Sequence, residues 1–193
     1  MPRPDRSHER RAELLPAIAK AFAELGYRRT TTAELAARCE TQEVVLYRLW
    51  PDKKTMFLAV LDHIYDTSAA AWEKLLTATD AQSAAERLLE YESTHHGEWG
   101  FYRLIFAGIS DTDDPQIRDA LARLYTRYHE FVVRRLLEHR GERAKAGVEQ
   151  AAWALIGLGT IASVGKELGL LDNRDRSALW RTVGPLLLGK RQR

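Results

Sequence analysis

The stretch from Thr31 to Phe57, TTAELAARCETQEVVLYRLWPDKKTMF, constrains the fold more than any other part of this chain. Thr31-x-x-Glu34 has the form of a capping box: the threonine oxygen accepts from the first turn and the glutamate reaches back, so a short helix is predicted from Thr32 to about Arg38. Cys39 to Gln42 reads as a turn. A second short helix follows, about Gln42 to Leu49, with Val45, Leu46 and Leu49 on its apolar face and Trp50 closing it before Pro51. Two short helices around a tight turn make a helix-turn-helix, a unit that lays its second helix in the major groove of DNA.

The rest of the chain reads as helix too. Ala, Leu, Glu and Arg dominate, only six prolines occur in 193 residues, and no alternating β-branched run appears, so the predicted class is all-α. A first helix is expected from about Glu9 to Leu25, with Leu14, Ile18, Ala21, Phe22 and Leu25 on one face and Gly26 ending it. Pro16 removes a backbone donor inside that span, which predicts a kink or a late start. Beyond Pro51, a long amphipathic helix is expected from Lys53 to about Leu76, placed to couple the two halves mechanically. Further helices are expected near 81–95, 99–109, 115–140, 146–168 and 174–188, with Ser110 to Asp114 (SDTDD) supplying acidic caps for the helix at Pro115. The layout is a three-helix head, residues 1–51, followed by a six-helix body, residues 52–193.

Composition narrows the chemistry. Net charge is only +2, from 29 Lys plus Arg against 27 Asp plus Glu, so an anionic partner must be met by a local patch. Arg3, Arg6, Arg10 and Arg11 form a basic arm, either a solvated terminus or a group that tracks DNA. The single cysteine, Cys39, excludes an internal disulfide and reads as a small packed thiol in the turn. A charged N-terminus without an apolar core, and no run near the ~20 apolar residues of a membrane span, lead to an expected cytoplasmic location with no membrane partner. His95 and His96 are adjacent and point about 100° apart on a helix, so they make no i, i+4 metal pair. With no nucleophile elbow, phosphate-binding glycine loop or metal-ligand spacing, no enzyme, cofactor or metal is expected.

Gly26-Tyr27, Thr30-Thr31, Glu34-Leu35-Ala36, Leu46-Tyr47-Arg48, the aromatic Trp50 and Pro51-x-Lys53 follow one another in a register that resembles the TetR family of transcriptional regulators, over roughly residues 9 to 61. The resemblance implies a homodimer, a head that binds double-stranded DNA, and a body enclosing a small-molecule effector whose binding moves the helix at Lys53. It implies that Thr31, Tyr47 and Lys53 meet phosphate, with Arg28, Arg29 and Arg48 close by. Hydroxyls and an ammonium at helix ends are suited to phosphate. Gln42, Glu43 and Val44, at the start of the second helix, then face base edges; Gln42 can pair with adenine and Glu43 can accept from a cytosine amino group.

The departures from that pattern cluster in one place. Glu40 replaces a turn glycine, which predicts a non-glycine residue in the left-handed region at a cost of about 1 kcal/mol. Glu43, Val44, Val45 and Leu49 replace residues that are basic, small or phosphate-directed in the family. The expected result is a DNA-binding regulator, a repressor, that reads an operator with fewer phosphate contacts; the alternative is an all-α small-molecule-binding protein whose head has lost specific DNA binding.

In the body, Trp72, Trp99, Tyr102, Phe106, Tyr125 and His129 are the predicted lining of an apolar ligand pocket. The segment AAWALIGLGTIASVGKELG is rich in Ala and Gly, which means tight packing inside one subunit or half of a four-helix contact across a two-fold axis. The second reading is favoured, partly on the family resemblance, with Leu155, Gly159 and Ser163 facing Leu179, Val183 and Leu186 of the last helix.

Overall fold

The computed structural model describes residues 6–77, 82–97, 100–141 and 145–191. Nine helices and no strand are found among them: α1 Ser7–Leu25, α2 Thr32–Arg38, α3 Glu43–Leu49, α4 Lys53–Leu76, α5 Ala84–His95, α6 Phe101–Ile109, α7 Pro115–Arg140, α8 Val148–Glu167 and α9 Asn173–Leu188. The protein is all-α, as the sequence predicts.

Two compact units are present, one made of residues 1–66 and 100–124, the other of 67–99 and 125–193. The first unit therefore extends well past residue 51: it takes in the start of α4, all of α6 and the start of α7. Its core joins Ile18 and Phe22 of α1, Leu35 of α2, Leu46 of α3 and Phe57 of α4, all fully buried. Phe22 and Phe57 meet edge to face at 5.1 Å, and Tyr27 packs tilted on Phe57 at 4.8 Å.

Of the kink or late start expected at Pro16, the late start does not occur: α1 runs uninterrupted through this position. Pro16 lies inside it, and both Pro16 and Ala12, whose carbonyl loses its helical donor, are exposed, so water can take the place of the missing N–H. Half of the predicted capping box forms at α2: the Glu34 amide donates to Thr31 Oγ1 at 3.1 Å, but the Glu34 carboxylate accepts from Arg38 Nε at 2.9 Å instead of reaching back. Arg38 also pairs with Glu24, and this ties α2 to α1. Complete capping boxes stand elsewhere, Ser83 with Glu86 at α5 and Asp172 with Asp175 at α9. Asp52 caps α4 by accepting from the Thr55 amide at 2.7 Å and the Thr55 hydroxyl at 2.8 Å. These bonds hold its carboxyl below the usual aspartate value.

The second unit is built on close approach. A Cβ on Gly184 of α9 would lie 2.3 Å from a methyl of Leu89 on α5, and one on Gly165 of α8 would lie 2.5 Å from a methyl of Leu171, so a side chain at either position would force that leucine to move. Helix α8 is long and apolar enough to cross a membrane by length and composition alone. One of its faces is covered within the unit: Ala151, Ala152, Leu158, Gly159, Ala162, Ser163 and Gly165 are buried.

Candidate nucleic-acid interface

Leu46 and Leu49 turn inward on α3, and the same helical period turns Gln42, Glu43, Val44, Tyr47 and Arg48 outward. Val44 is 66% exposed, which leaves an isopropyl group at the helix N-terminal half free to meet an apolar base edge such as a thymine methyl. The end of α3 is anchored by Arg11, whose Nε donates to the Leu49 carbonyl at 2.9 Å. Arg11 of the basic arm is thus a structural group. Arg6 stands at the start of α1, while Arg3 lies outside the described residues.

The turn before α3 meets its predicted geometry. Glu40 has φ 48°, the one positive φ of a non-glycine among the described residues. The chain carries strain here that glycine would avoid, and the turn still closes through the Thr41 amide to the Ala36 carbonyl at 3.0 Å. Cys39 is a packed thiol, with Sγ directed at the Leu14 carbonyl at 3.9 Å, and burial pushes its pKa up.

Of the residues expected at phosphate, Tyr47 and Thr31 sit exposed at the outer edge of the helix pair. The Tyr47 hydroxyl hydrogen-bonds that of Thr32 at 3.0 Å, so α2 and α3 present a joined pair of hydroxyls. Sequence reasoning missed Thr32; the run of three threonines at 30–32 was its only signal.

Lys53, Arg28 and Arg29 are differently engaged. Lys53 Nζ donates to the carbonyls of Tyr27 and Thr30, each at 3.0 Å, and to that of Arg28 at 3.5 Å, while lying 4.7 Å from the Tyr27 ring centroid. Its donors fasten the α1–α2 loop to the start of α4. Arg28 Nε donates to Asp111 at 2.6 Å, and Arg29 Nε to the Leu25 carbonyl at 2.9 Å, so one joins the α6–α7 loop and the other caps α1. The SDTDD break explains the first: Asp111 takes Arg28, and Asp114 takes Lys54 at 3.0 Å while also accepting the Gln116 amide at 2.9 Å. The Lys54 bond holds the Asp114 carboxyl below its usual range.

The residues expected around a ligand divide between the two units. Tyr102 and Phe106 lie on α6 in the first unit, with rings 6.4 Å apart; Trp72, Tyr125 and His129 belong to the second; Trp99 lies outside the described residues. Trp72 stacks on Phe131 at 4.7 Å and donates its N–H to Glu92 at 2.9 Å, the behaviour of a half-buried indole with its polar end satisfied. Tyr125 and His129 do converge, since both stack against Trp153, at 6.5 and 4.6 Å.

The outward face of α8 has a different register from the expected one. Gly159 and Ser163 are buried within the subunit, the Gly159 carbonyl lies 2.9 Å from His96 Nε2, and Leu155 packs on the core formed with Leu136 and Ala152. The exposed stripe instead runs Trp153, Gly157, Ile161 and Leu168, with Ile161 56% exposed. On α9, Leu186 is 77% exposed, whereas Leu179 and Val183 are half-buried.

Residues 14–60 match the family described as bacterial regulatory proteins, tetR family. The HTH-type transcriptional activator FasR of Mycolicibacterium smegmatis is 32% identical over 112 residues, a stretch that covers 56% of this chain and 50% of that protein. The chain thus spans about half the length of that relative. A TetR-family regulator of Cytophaga hutchinsonii superposes with a TM-score of 0.77 over 99% of both chains at 15% identity. A transcriptional regulator of Saccharomonospora viridis, solved in complex with choline, superposes with a TM-score of 0.73 over 92% of this chain and 96% of its own at 18% identity. At such identities the likeness is one of fold. Residues 14–60 thus carry the match to the tetR family of bacterial regulatory proteins, and the fold of a solved member of that family extends over nearly the whole chain.

Proposed function

We propose that this protein is a ligand-responsive repressor that binds a palindromic operator as a homodimer, with the heads at residues 1–51 reading DNA through α3. The observation that carries this reading is the outward row Gln42, Glu43, Val44, Tyr47 and Arg48 on a helix pinned from below by Leu46 and Leu49. Gln42, Glu43 and Val44 take the base edges; Thr31, Thr32, Tyr47 and Arg48 take phosphate. Lys53, Arg28 and Arg29 are assigned to shaping the head. Occupying an operator needs no further surface to repress.

The apolar stripe Trp153, Gly157, Ile161 and Leu168 along α8 and its C-terminal cap supports pairing of two copies, because exposed large apolar side chains in one row on a helix mark an interface. The choline bound to the Saccharomonospora viridis regulator belongs to that protein, but it supports the expectation that a body of this fold holds a small molecule. Tyr125 and His129, gathered on Trp153, and Trp72 offer aromatic surface for that purpose in the second unit. An effector acts by binding the DNA-competent and DNA-incompetent spacings of the heads unequally.

The test compares Tyr47→Phe and Gln42→Ala with the parent on a panel of duplexes at two salt concentrations. Parent affinity should fall steeply with salt; Tyr47→Phe should weaken every duplex alike, and Gln42→Ala should change which duplex is preferred. Absence of binding at low salt, for which Glu43 and the occupied Lys53 and Arg28 are the physical grounds, would instead favour a small-molecule-binding protein with a silent head.

A further inference from the structure

The turn that follows α5 faces an unusual concentration of buried donors. Arg176 of α9 is 6% exposed, and its Nε and Nη1 have no hydrogen-bond partner among the described residues; Nη2 donates to the His96 carbonyl at 3.2 Å. The hydroxyl of Ser163 on α8 and the indole N–H of Trp180, one turn after Arg176, are also buried without a partner among the described residues. Two of these groups, Ser163 Oγ and Arg176 Nη1, converge on Gly97. A Cβ built there, at φ +75°, would lie 3.4 Å from Ser163 Oγ and 4.0 Å from Arg176 Nη1, so the missing side chain keeps open the space between them. The His96 ring packs against that of Trp180 at 5.0 Å.

The adjacent carboxylate is already committed. Glu92 lies 2.6 Å from His96 Nδ1 through one oxygen and accepts from Trp72 Nε1 at 2.9 Å through the other, while His96 Nε2 meets the Gly159 carbonyl. Arg176 is therefore a buried cation with no counter-charge bonded to it among the described residues, a state that is strongly unfavourable unless an anion joins it. A water molecule brings no charge to offset the guanidinium. A carboxylate brings one negative charge, about four lone-pair sites and no hydrogen. A phosphate dianion would exceed the single charge of Arg176.

We propose that Arg176 and Ser163, beside Gly97, receive the carboxylate of a small organic acid, and that this acid is the effector. The second clause rests on the reading of the protein as ligand-responsive; the first stands on the donors alone. Calorimetric titration of the full chain with sodium acetate, hexanoate and benzoate tests it, with the matching primary amides and choline chloride as controls. At least one acid should bind, its amide should bind at least about tenfold more weakly, choline should not bind at this site, and Arg176→Met should weaken the acid by at least about tenfold. Ser163→Ala, a smaller change, should weaken it several-fold and serves if Arg176→Met fails to fold by circular dichroism. No binding by any of the three acids, equal binding of acid and amide, or unchanged acid binding in a folded Arg176→Met and in Ser163→Ala would overturn the site. Operator release is measured separately by gel shift. Acid binding that leaves DNA affinity unchanged supports the site and removes its role as effector; release by choline with no acid binding overturns the site and leaves the ligand-responsive reading in place.

Discussion

Lys53 shows how residue type and residue role separate. An ammonium at the first turn of a helix next to a helix-turn-helix suits phosphate, yet three loop carbonyls already surround this one. Lys53→Met should lower the stability of the head by about 1–3 kcal/mol, the scale of hydrogen bonds to a charged group, with a matching fall in the thermal midpoint before any DNA is added. A variant that keeps the midpoint and loses only DNA affinity would return Lys53 to the phosphate-contacting set. Glu40 is the opposite case, a residue whose strain was legible. A turn of this length needs a left-handed residue, and Glu40 adopts φ 48°. Glu40→Gly should stabilise the protein by up to about 1 kcal/mol in denaturant unfolding, the relief of the left-handed penalty less the entropy glycine adds to the unfolded chain. What the sequence could not disclose at this scale is pairing at a distance: Arg28 with Asp111 and Lys54 with Asp114 join positions 83 and 60 residues apart, which no local pattern encodes.

At the scale of elements, the helices were legible because their apolar period, caps and breakers agree. α3, α4 and α7 begin and end within a residue or so of the expected bounds, each fixed by a proline, a cap or both. The face a helix buries is harder to read when both faces are apolar, and α8 is the example. Its small residues pointed to a close approach, and the approach is real, but Gly159 and Ser163 make it to His96 and Gly97 inside the subunit. The face left outward carries Trp153 and Ile161. Ile161→Glu therefore separates the two readings of α8: the variant should remain folded, because Ile161 is exposed in the single chain, and should run in dilute solution as a 22.0 kDa particle, whereas the parent should run at twice that mass. A variant that still pairs would place the interface elsewhere.

For the whole molecule, the division of labour follows from where unmatched chemistry remains. The first unit commits many of its cations to its own backbone and to the α6–α7 loop, which leaves α3 and its hydroxyl neighbours as the surface proposed for DNA. The second unit holds an apolar outer stripe suited to a copy of itself and a buried cation suited to an organic anion. The head was recognisable from its sequence because its scaffold positions are fixed by packing and turn geometry; the second unit was not, because helix number and length are met by many sequences and the polar groups that matter lie on α5, α8 and α9 together. Whether two heads read one operator through α3 is tested most directly by selecting bound duplexes from a random library. The expected product is an enriched inverted repeat whose half-sites lie about 34 Å, one helical turn, or a multiple of it apart, and whose bases change with Gln42→Ala. Recovery of duplexes with no shared sequence, at low salt and with the parent protein, would contradict it.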